Sequence, residues 1–340
     1  MANPGSPSTP AEPRAPAAAA FPAAGILALL LLLAFGRPPD DSFFWRTVFD
    51  LGHVPLFGAI GLLTLWIVRH VAAPAAGEWA QVVLALLATG VLSLLTEIAQ
   101  IGQPGRQAEV GDAINNLTGA VCFVAIAAAL RPGPWRAAGD AGRAASRLVL
   151  AAAVLALAIA FSPLATVAWS YAARNSKFPV VAELGALWQA PLTSAPSAQL
   201  ERVDPPEGWE AVGGRTVTRV RFLDSPWPGV TIREPWPDWS AYGRLRFRVW
   251  SDMSDPVQLN VRIDDGVRTR AFRDRYDGSV IVVPGANDFS IPLETVRRAP
   301  KDRQMDLGRV SQFFFFTSRP ERPLELYFSE VWLEAEWEGD

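Results

Sequence analysis

Before Tyr171 the chain is written in long apolar runs, and after it in short alternations of apolar and polar residues. The runs cover residues 17–36, 54–73, 79–101, 113–130 and 148–169. About 20 helical residues cross the roughly 30 Å hydrocarbon core of a bilayer. A soluble bundle helix would carry a polar stripe at every turn, and these runs do not. Trp45, Trp79, Trp135, Trp169 and Tyr171 cluster near the run ends, where interfacial aromatics belong. The pattern predicts an α-helical membrane bundle of five transmembrane helices. The first run also has the look of a cleaved signal peptide, with small Ala34 and Gly36 near its end. Its long proline-rich lead, with Arg14 as sole cation, makes a poor n-region and favours a retained anchor.

From Leu200 the period changes to two. TVTRVRF, GVTIRE, RLRFRVW, VQLNVRI, SVIVV, QFFFF and LELYFSEVWLEAEW read as strands separated by turn residues, with no helical pattern between them. That spacing predicts an all-β sandwich of the jelly-roll type. The run Phe313–Phe316 is apolar at every position and is expected to be a central strand covered on both faces. Between the two halves, Val180, Val181, Leu184, Leu187 and Trp188 stand at helical spacing, which suits an interfacial helix or an ordinary linker equally. The expected organisation is a disordered tail over 1–16, a membrane domain over 17–171, a linker over 172–199 and a sandwich over 200–338.

Charge orients the helices. The segment between the last two runs carries Arg131, Arg136, Arg143 and Arg147 against the single acid Asp140, while acids at least match arginines in 37–52 and 102–112. The positive-inside rule makes the arginine-rich loop cytoplasmic. The N-terminus is then cytoplasmic, and the sandwich lies outside the plasma (inner) membrane of a bacterium, in the periplasm or beyond. A net charge of −3 argues against nucleic acid as a partner. The lone Cys122 excludes disulfide and Cys-based zinc frameworks, and with only His53 and His70 no multi-histidine metal centre is expected. No cofactor is implied.

Within the apolar half, residues 93–119 (SLLTEIAQIGQPGRQAEVGDAINNLTG) gather Glu97, Gln100, Arg106, Asp112 and Asn116 around one turn, and Asp50 and His53 open the second run. In the expected topology all of them come to the outer membrane face. Ionisable groups there mark function by default. Asp50 and Asp112 also suit helix N-caps, and Gln100 and Asn116 suit interhelical packing. Glu97, in a last helical turn, opposes the helix dipole and needs a partner, for which Arg106 is the nearest candidate. His53 beside Asp50 or Glu97 is placed to move protons near neutral pH. Glu97, His53 and Asp112 are therefore the candidate catalytic residues, and Asp50, Gln100, Arg106 and Asn116 the candidate ligand-binding ones. Ser93 and Thr118 are expected to bond back to their own helices.

Two resemblances follow from these residues. Asp50-x-x-His53 within FDLGHVPLFGAIGL, Thr96-Glu97-x-x-Gln100, Arg106, Asp112 and Asn116-x-x-Gly119 resemble, in order and spacing, the VanZ-like family of bacterial membrane proteins over about residues 40–130. The family commonly has lysine where this chain has Leu51. That resemblance implies a connection to the cell envelope or to glycopeptide resistance. In the second half, Trp236-Pro-Asp-Trp239-Ser-Ala-Tyr242 before LRFRV, and Asp274-Arg-Tyr276 before PGANDFSIPL, resemble galactose-binding-like jelly rolls and carbohydrate-binding modules. It implies stacking of Trp236 and Tyr276 on a sugar, with Arg273, Arg275 and Asp277 bonding hydroxyls. Trp239 and Tyr242 suit the sandwich core better, and Asp264-Asp265 lacks the spacing of a calcium loop. The sequence thus predicts a membrane protein with an outward polar pocket for an amphiphilic or glycolipid-like ligand and a glycan-binding outer domain. A non-enzymatic scaffold whose sandwich recruits a protein partner fits the same residues.

Overall fold

The computed structural model describes residues 15–100, 110–131, 133, 135, 138–212, 215–267, 273–320 and 323–335. They form two compact units, Met1–Leu164 and Ala165–Asp340.

The first unit is helical: α1 (Ala15–Phe35), α2 (Phe43–Ile67), α3 (Glu78–Gln100), α4 (Val110–Ala129) and the start of α5 (Gly139–Lys177). Among the described residues, four helices are long and apolar enough to cross a membrane, and Ala19–Phe35 is a shorter apolar helix. α2 begins well before the apolar run at 54. Ser42 caps it, its Oγ accepting from Trp45 N at 3.4 Å, and an aromatic turn, FFWRTVFD, continues the helix without needing continuous apolarity. Asp50 and His53 therefore sit inside α2, and Asp50 does not cap a helix.

α2 and α4 pack along glycines. A Cβ on Gly119 would lie 2.0 Å from the Val54 carbonyl oxygen, and one on Gly58 2.6 Å from the Phe123 ring. Such small residues let helix backbones approach closely. Polarity in this unit runs inside out. His53, Thr64, Gln81, Thr89, Ser93, Glu97 and Asn116 are buried, whereas Leu27, Leu84, Leu87, Leu94, Ile98, Leu117 and Ile159 are exposed.

The second unit is a sandwich of two antiparallel sheets. Its strands are β1 (Val180–Ala182), β2 (Thr193–Ser194), β3 (Ala198–Val203), β4 (Val217–Phe222), β5 (Gly229–Arg233), β6 (Arg244–Ser251), β7 (Val257–Asp265), β8 (Tyr276–Val282), β9 (Gly285–Pro292), β10 (Val310–Phe316) and β11 (Leu324–Glu334). One sheet runs β3-β4-β11-β6-β9, with β1 also pairing with β11; the other runs β2-β5-β10-β7-β8. A one-turn helix, α6 (Leu293–Arg297), follows β9. Both sheets fill one core: Phe315 of β10 lies 5.1 Å from Phe247 of β6 and 5.3 Å from Phe328 of β11, ring to ring. Each fully buried ring of this kind contributes about 1.5–3 kcal/mol.

β10 is central, pairing Phe313 with Ile232 of β5 and Ile263 of β7. Its outer residues Phe314 and Phe316 stack at 4.7 Å, and the Arg262 guanidinium covers Phe316 at 5.1 Å. The cover on that face is thus a cation and a neighbouring ring, not a second layer.

Residues 172–199 are not a linker with an interfacial helix. α5 runs on to Lys177, β1 pairs with β11, and Val181, Leu184 and Leu192 are buried. Glu183 ties the segment together, accepting from Lys177 Nζ at 2.9 Å, Trp188 Nε1 at 3.1 Å and Arg202 Nη1 at 3.0 Å. Burial alone would raise its carboxyl; those three donors outweigh it and hold it below the usual carboxylate range. The helical spacing of Val180, Leu184 and Trp188 arises because a short strand followed by turns also buries residues three and four apart.

Candidate functional site

Three helices converge on one polar cluster. His53 of α2 lies with Nδ1 2.9 Å from Asn116 Oδ1 of α4. Asn116 is fully buried, and its Nδ2 donates to Ser93 Oγ at 3.0 Å and to Glu97 Oε1 at 3.3 Å, both on α3. With the amide nitrogen turned toward two acceptors, the amide oxygen can only accept. His53 Nδ1 therefore carries a hydrogen, and its Nε2 faces Asp112 Oδ2 at 3.9 Å. Glu97 Oε2 is buried and has no hydrogen-bond partner among the described residues, a costly state for a carboxylate oxygen.

His53, Glu97 and Asp112 each offer a ligand-capable atom, all within 4.8 Å of one another. Beside them a cavity of about 250 Å³ opens between α3 and α4, lined by Glu97, Asn116 and Ser93 at its polar side and by Leu94, Leu117 and Ala120 among its apolar residues. The arrangement can hold a cation or a hydrogen-bonding headgroup next to an apolar-walled space.

The sequence-picked residues divide as follows. Glu97, His53, Asp112 and Asn116 come together. Asp50 lies one turn before His53 with an exposed side chain, and its backbone carbonyl accepts from Asn115 Nδ2 at 3.0 Å; it does not point with His53 into the bundle. Arg106 and the side chain of Gln100 lie outside the described residues, and with them the expected Glu97–Arg106 pair. Ser93 does more than bond its own helix, since it accepts from Asn116. Its position four residues before Glu97, on the same helical face, carried that signal.

In the sandwich, Tyr276 packs against the core, burial pushes its hydroxyl up, and its hydroxyl reaches over Gly278, where a Cβ would meet it at 2.1 Å. Its ring is half-buried against that core. Trp236 is half-buried, 5.0 Å from the Phe178 ring and 6.0 Å from the Arg174 guanidinium. Trp239 is fully buried, donating from Nε1 to Trp236 O at 2.6 Å, and Tyr242 packs on the same core. Arg275 and Arg262 both hold Asp277, at 2.7 and 2.9 Å, while Arg273 is exposed.

Asp265 is committed elsewhere. Arg303 donates to both its oxygens, at 2.5 and 2.9 Å, and also to Asp274 at 2.5 Å. Asp306 N and Val267 N donate to it as well. Burial would raise this carboxyl; the guanidinium and the two amides outweigh that and hold it low. Asp264 beside it is pushed up, burial outweighing its bond from Gln312. A carboxylate so fully occupied leaves no oxygen for calcium.

A separate cleft of about 190 Å³ on the sandwich is lined by Glu183, Arg202, Arg215, Arg248 and Glu330 among others. Arg202 pairs with Glu183 and Arg215 with Glu330, each at 3.0 Å.

No protein-family model matches the chain, and no curated protein matches it; the VanZ-like resemblance stands on its motifs alone. Among solved structures, the chain is similar to an exo-β-agarase (12% identity, TM-score 0.34, over 43% of this chain and 23% of that one). It is similar also to a family 11 carbohydrate-binding module from Clostridium thermocellum in complex with a β-1,3-1,4-mixed-linked tetrasaccharide (12% identity, TM-score 0.32, over 42% of this chain and 86% of that one). A third is a family 30 carbohydrate-binding module of a cellulosomal cellulase from the same organism (18% identity, TM-score 0.31, over 43% and 91%). The chain thus spans about a quarter of the agarase's length. Likeness at these scores does not extend to a ligand.

Proposed function

We propose that the chain is a multi-pass protein of the bacterial plasma membrane whose helical unit binds the headgroup of an amphiphile at the His53–Asn116–Glu97–Asp112 cluster. The inverted polarity supports membrane residence: leucines face outward and polar groups face inward, the arrangement lipid favours and water opposes. Trp79 and Trp135 meet edge to face at 5.0 Å, and Arg131 pairs with Glu78 at 3.6 Å, as an interfacial belt on the arginine-rich side would. That side is cytoplasmic in the proposed topology, so the cluster opens outward and the sandwich is extracytoplasmic.

The observation that carries the ligand reading is the buried Glu97 oxygen, with no partner among the described residues, beside an apolar-walled cavity. A headgroup hydroxyl would satisfy the oxygen while its chain follows the leucines. For the sandwich, the proposal is glycan recognition through the Arg202–Arg215–Arg248 cleft, whose charged side chains can bond hydroxyls.

Purified full chain titrated with medium-chain alkyl glycosides and alkyl phosphates, followed by tryptophan fluorescence, tests this. Glu97→Gln, which keeps the shape and removes the charge, is expected to weaken binding about 10- to 100-fold, the worth of a hydrogen bond to a charged group. Unchanged affinity in that variant, with unchanged folding, sinks the amphiphile site.

A further inference from the structure

Resting on the binding-site reading above, we infer that His53, Glu97 and Asp112 hold one divalent transition-metal ion, with zinc the first candidate, and that Asn116 positions the histidine for it. Three ligand-capable side chains, one from each of three helices, meet here. His53 Nδ1 is engaged by Asn116 Oδ1, which leaves Nε2 as its ligand-capable nitrogen, facing Asp112 Oδ2 at 3.9 Å. Glu97 Oε2 is the third, buried and with no hydrogen-bond partner among the described residues. His53 and Glu97 are only 9% and 7% exposed, so water does not screen them.

A dication answers all three at once. One ligand-capable atom from each residue lies within 4.8 Å of the others, whereas ligands at about 2.1 Å in tetrahedral geometry stand about 3.4 Å apart. Closing that gap takes a side-chain adjustment of about 1 Å. One imidazole nitrogen with two carboxylate oxygens is a borderline-hard set that suits Zn²⁺, Mn²⁺ or Fe²⁺ over Mg²⁺ or Cu⁺. The Asn116 carbonyl behind the imidazole is the outer partner that metal-bound histidines ordinarily have. Three protein ligands leave a coordination position open, and the cavity lined by Glu97 and Asn116 is the space next to it. A headgroup oxygen, from a phosphate or a sugar, is the ligand that position takes.

The experiment uses full chain purified in detergent without chelator. Metal content is measured before and after chelator dialysis and zinc reloading, and cobalt is titrated into the stripped protein. The expected result is one equivalent of metal per chain and a cobalt absorption spectrum of four- or five-coordinate type. His53→Ala, Glu97→Gln and Asp112→Asn should each weaken binding by at least about 10-fold, while His70→Ala, outside the cluster, should retain it. The cobalt spectrum of the wild-type chain needs no variant to fold. Substoichiometric metal after reloading, or binding that survives Glu97→Gln and Asp112→Asn, overturns the inference. Amphiphile binding by a metal-free chain that is indifferent to zinc would overturn it too, and would leave the amphiphile site standing. Metal without amphiphile binding would support the ion and sink that site.

Discussion

Replacing Arg303 with alanine is expected to destabilise the sandwich by about 3–5 kcal/mol, the cost of stranding a buried carboxylate without its counter-charge. Asp265 is 2% exposed and receives both arms of the guanidinium. Arg303 also holds Asp274 and donates to the Gln304 carbonyl, so its loss frees the stretch between β7 and β8 as well as the one before β10. Hydrogen exchange of the β7 and β10 amides reads the loss unit by unit, and an Arg303→Ala chain with wild-type protection there would refute it. The pH dependence has a fixed sign. The folded-state carboxyl of Asp265 is depressed, so its contribution is fully present above the unfolded carboxylate pKa of about 3.9. It disappears as pH falls through the lower folded value. In the variant, burial without the guanidinium favours the neutral acid, so the gap between variant and wild type should narrow on acidification.

Gly119→Ala is the second large effect. The added Cβ would sit 2.0 Å from the Val54 carbonyl oxygen, on backbone that cannot swing aside. α2 and α4 must separate, at a cost of about 1–3 kcal/mol by the usual scale of overpacking. The sharper consequence is at the cluster. His53 and Asn116 meet across that contact at 2.9 Å, and a shift of a few tenths of an ångström per turn opens it. Headgroup and metal binding should both be lost, while Gly52→Ala, whose Cβ meets nothing within 4 Å, should leave both intact and gain slightly in helix stability. Thermal unfolding in detergent together with the cobalt titration measures the pair; a Gly119→Ala chain that still gives the wild-type cobalt spectrum would show that the contact does not set the site.

The strands of period two were readable because each alternation meets one packed face: RLRFRVW puts Leu245, Phe247 and Val249 inward. β1 was not readable, since three residues give no alternation and their burial depends on β11, far along the chain. The polar cluster was legible in membership and not in wiring. Composition flagged Glu97 and Asn116, but a hydrogen-bond hub depends on which way an amide turns, and that is decided by three helices together. Asp50 misled for a local reason: one turn from His53 in sequence, it lies where its side chain reaches the outside. Counting histidines left a mixed nitrogen–oxygen donor set unseen.

The two sheets are completed by the strands that come last. β10 lies between β5 and β7, and β11 between β4 and β6. A chain emerging N-terminus first would present β5 and β7 with open edges until Phe316 arrives, and β4 and β6 until Glu334 does, so both sheets wait on the C-terminal strands. Synthesis of this unit would then show a late closing step: fragments ending before β10 should be protease-sensitive and prone to clump. The half-made domain would be a ready client for holding chaperones, and the pace of the final strands would set its yield.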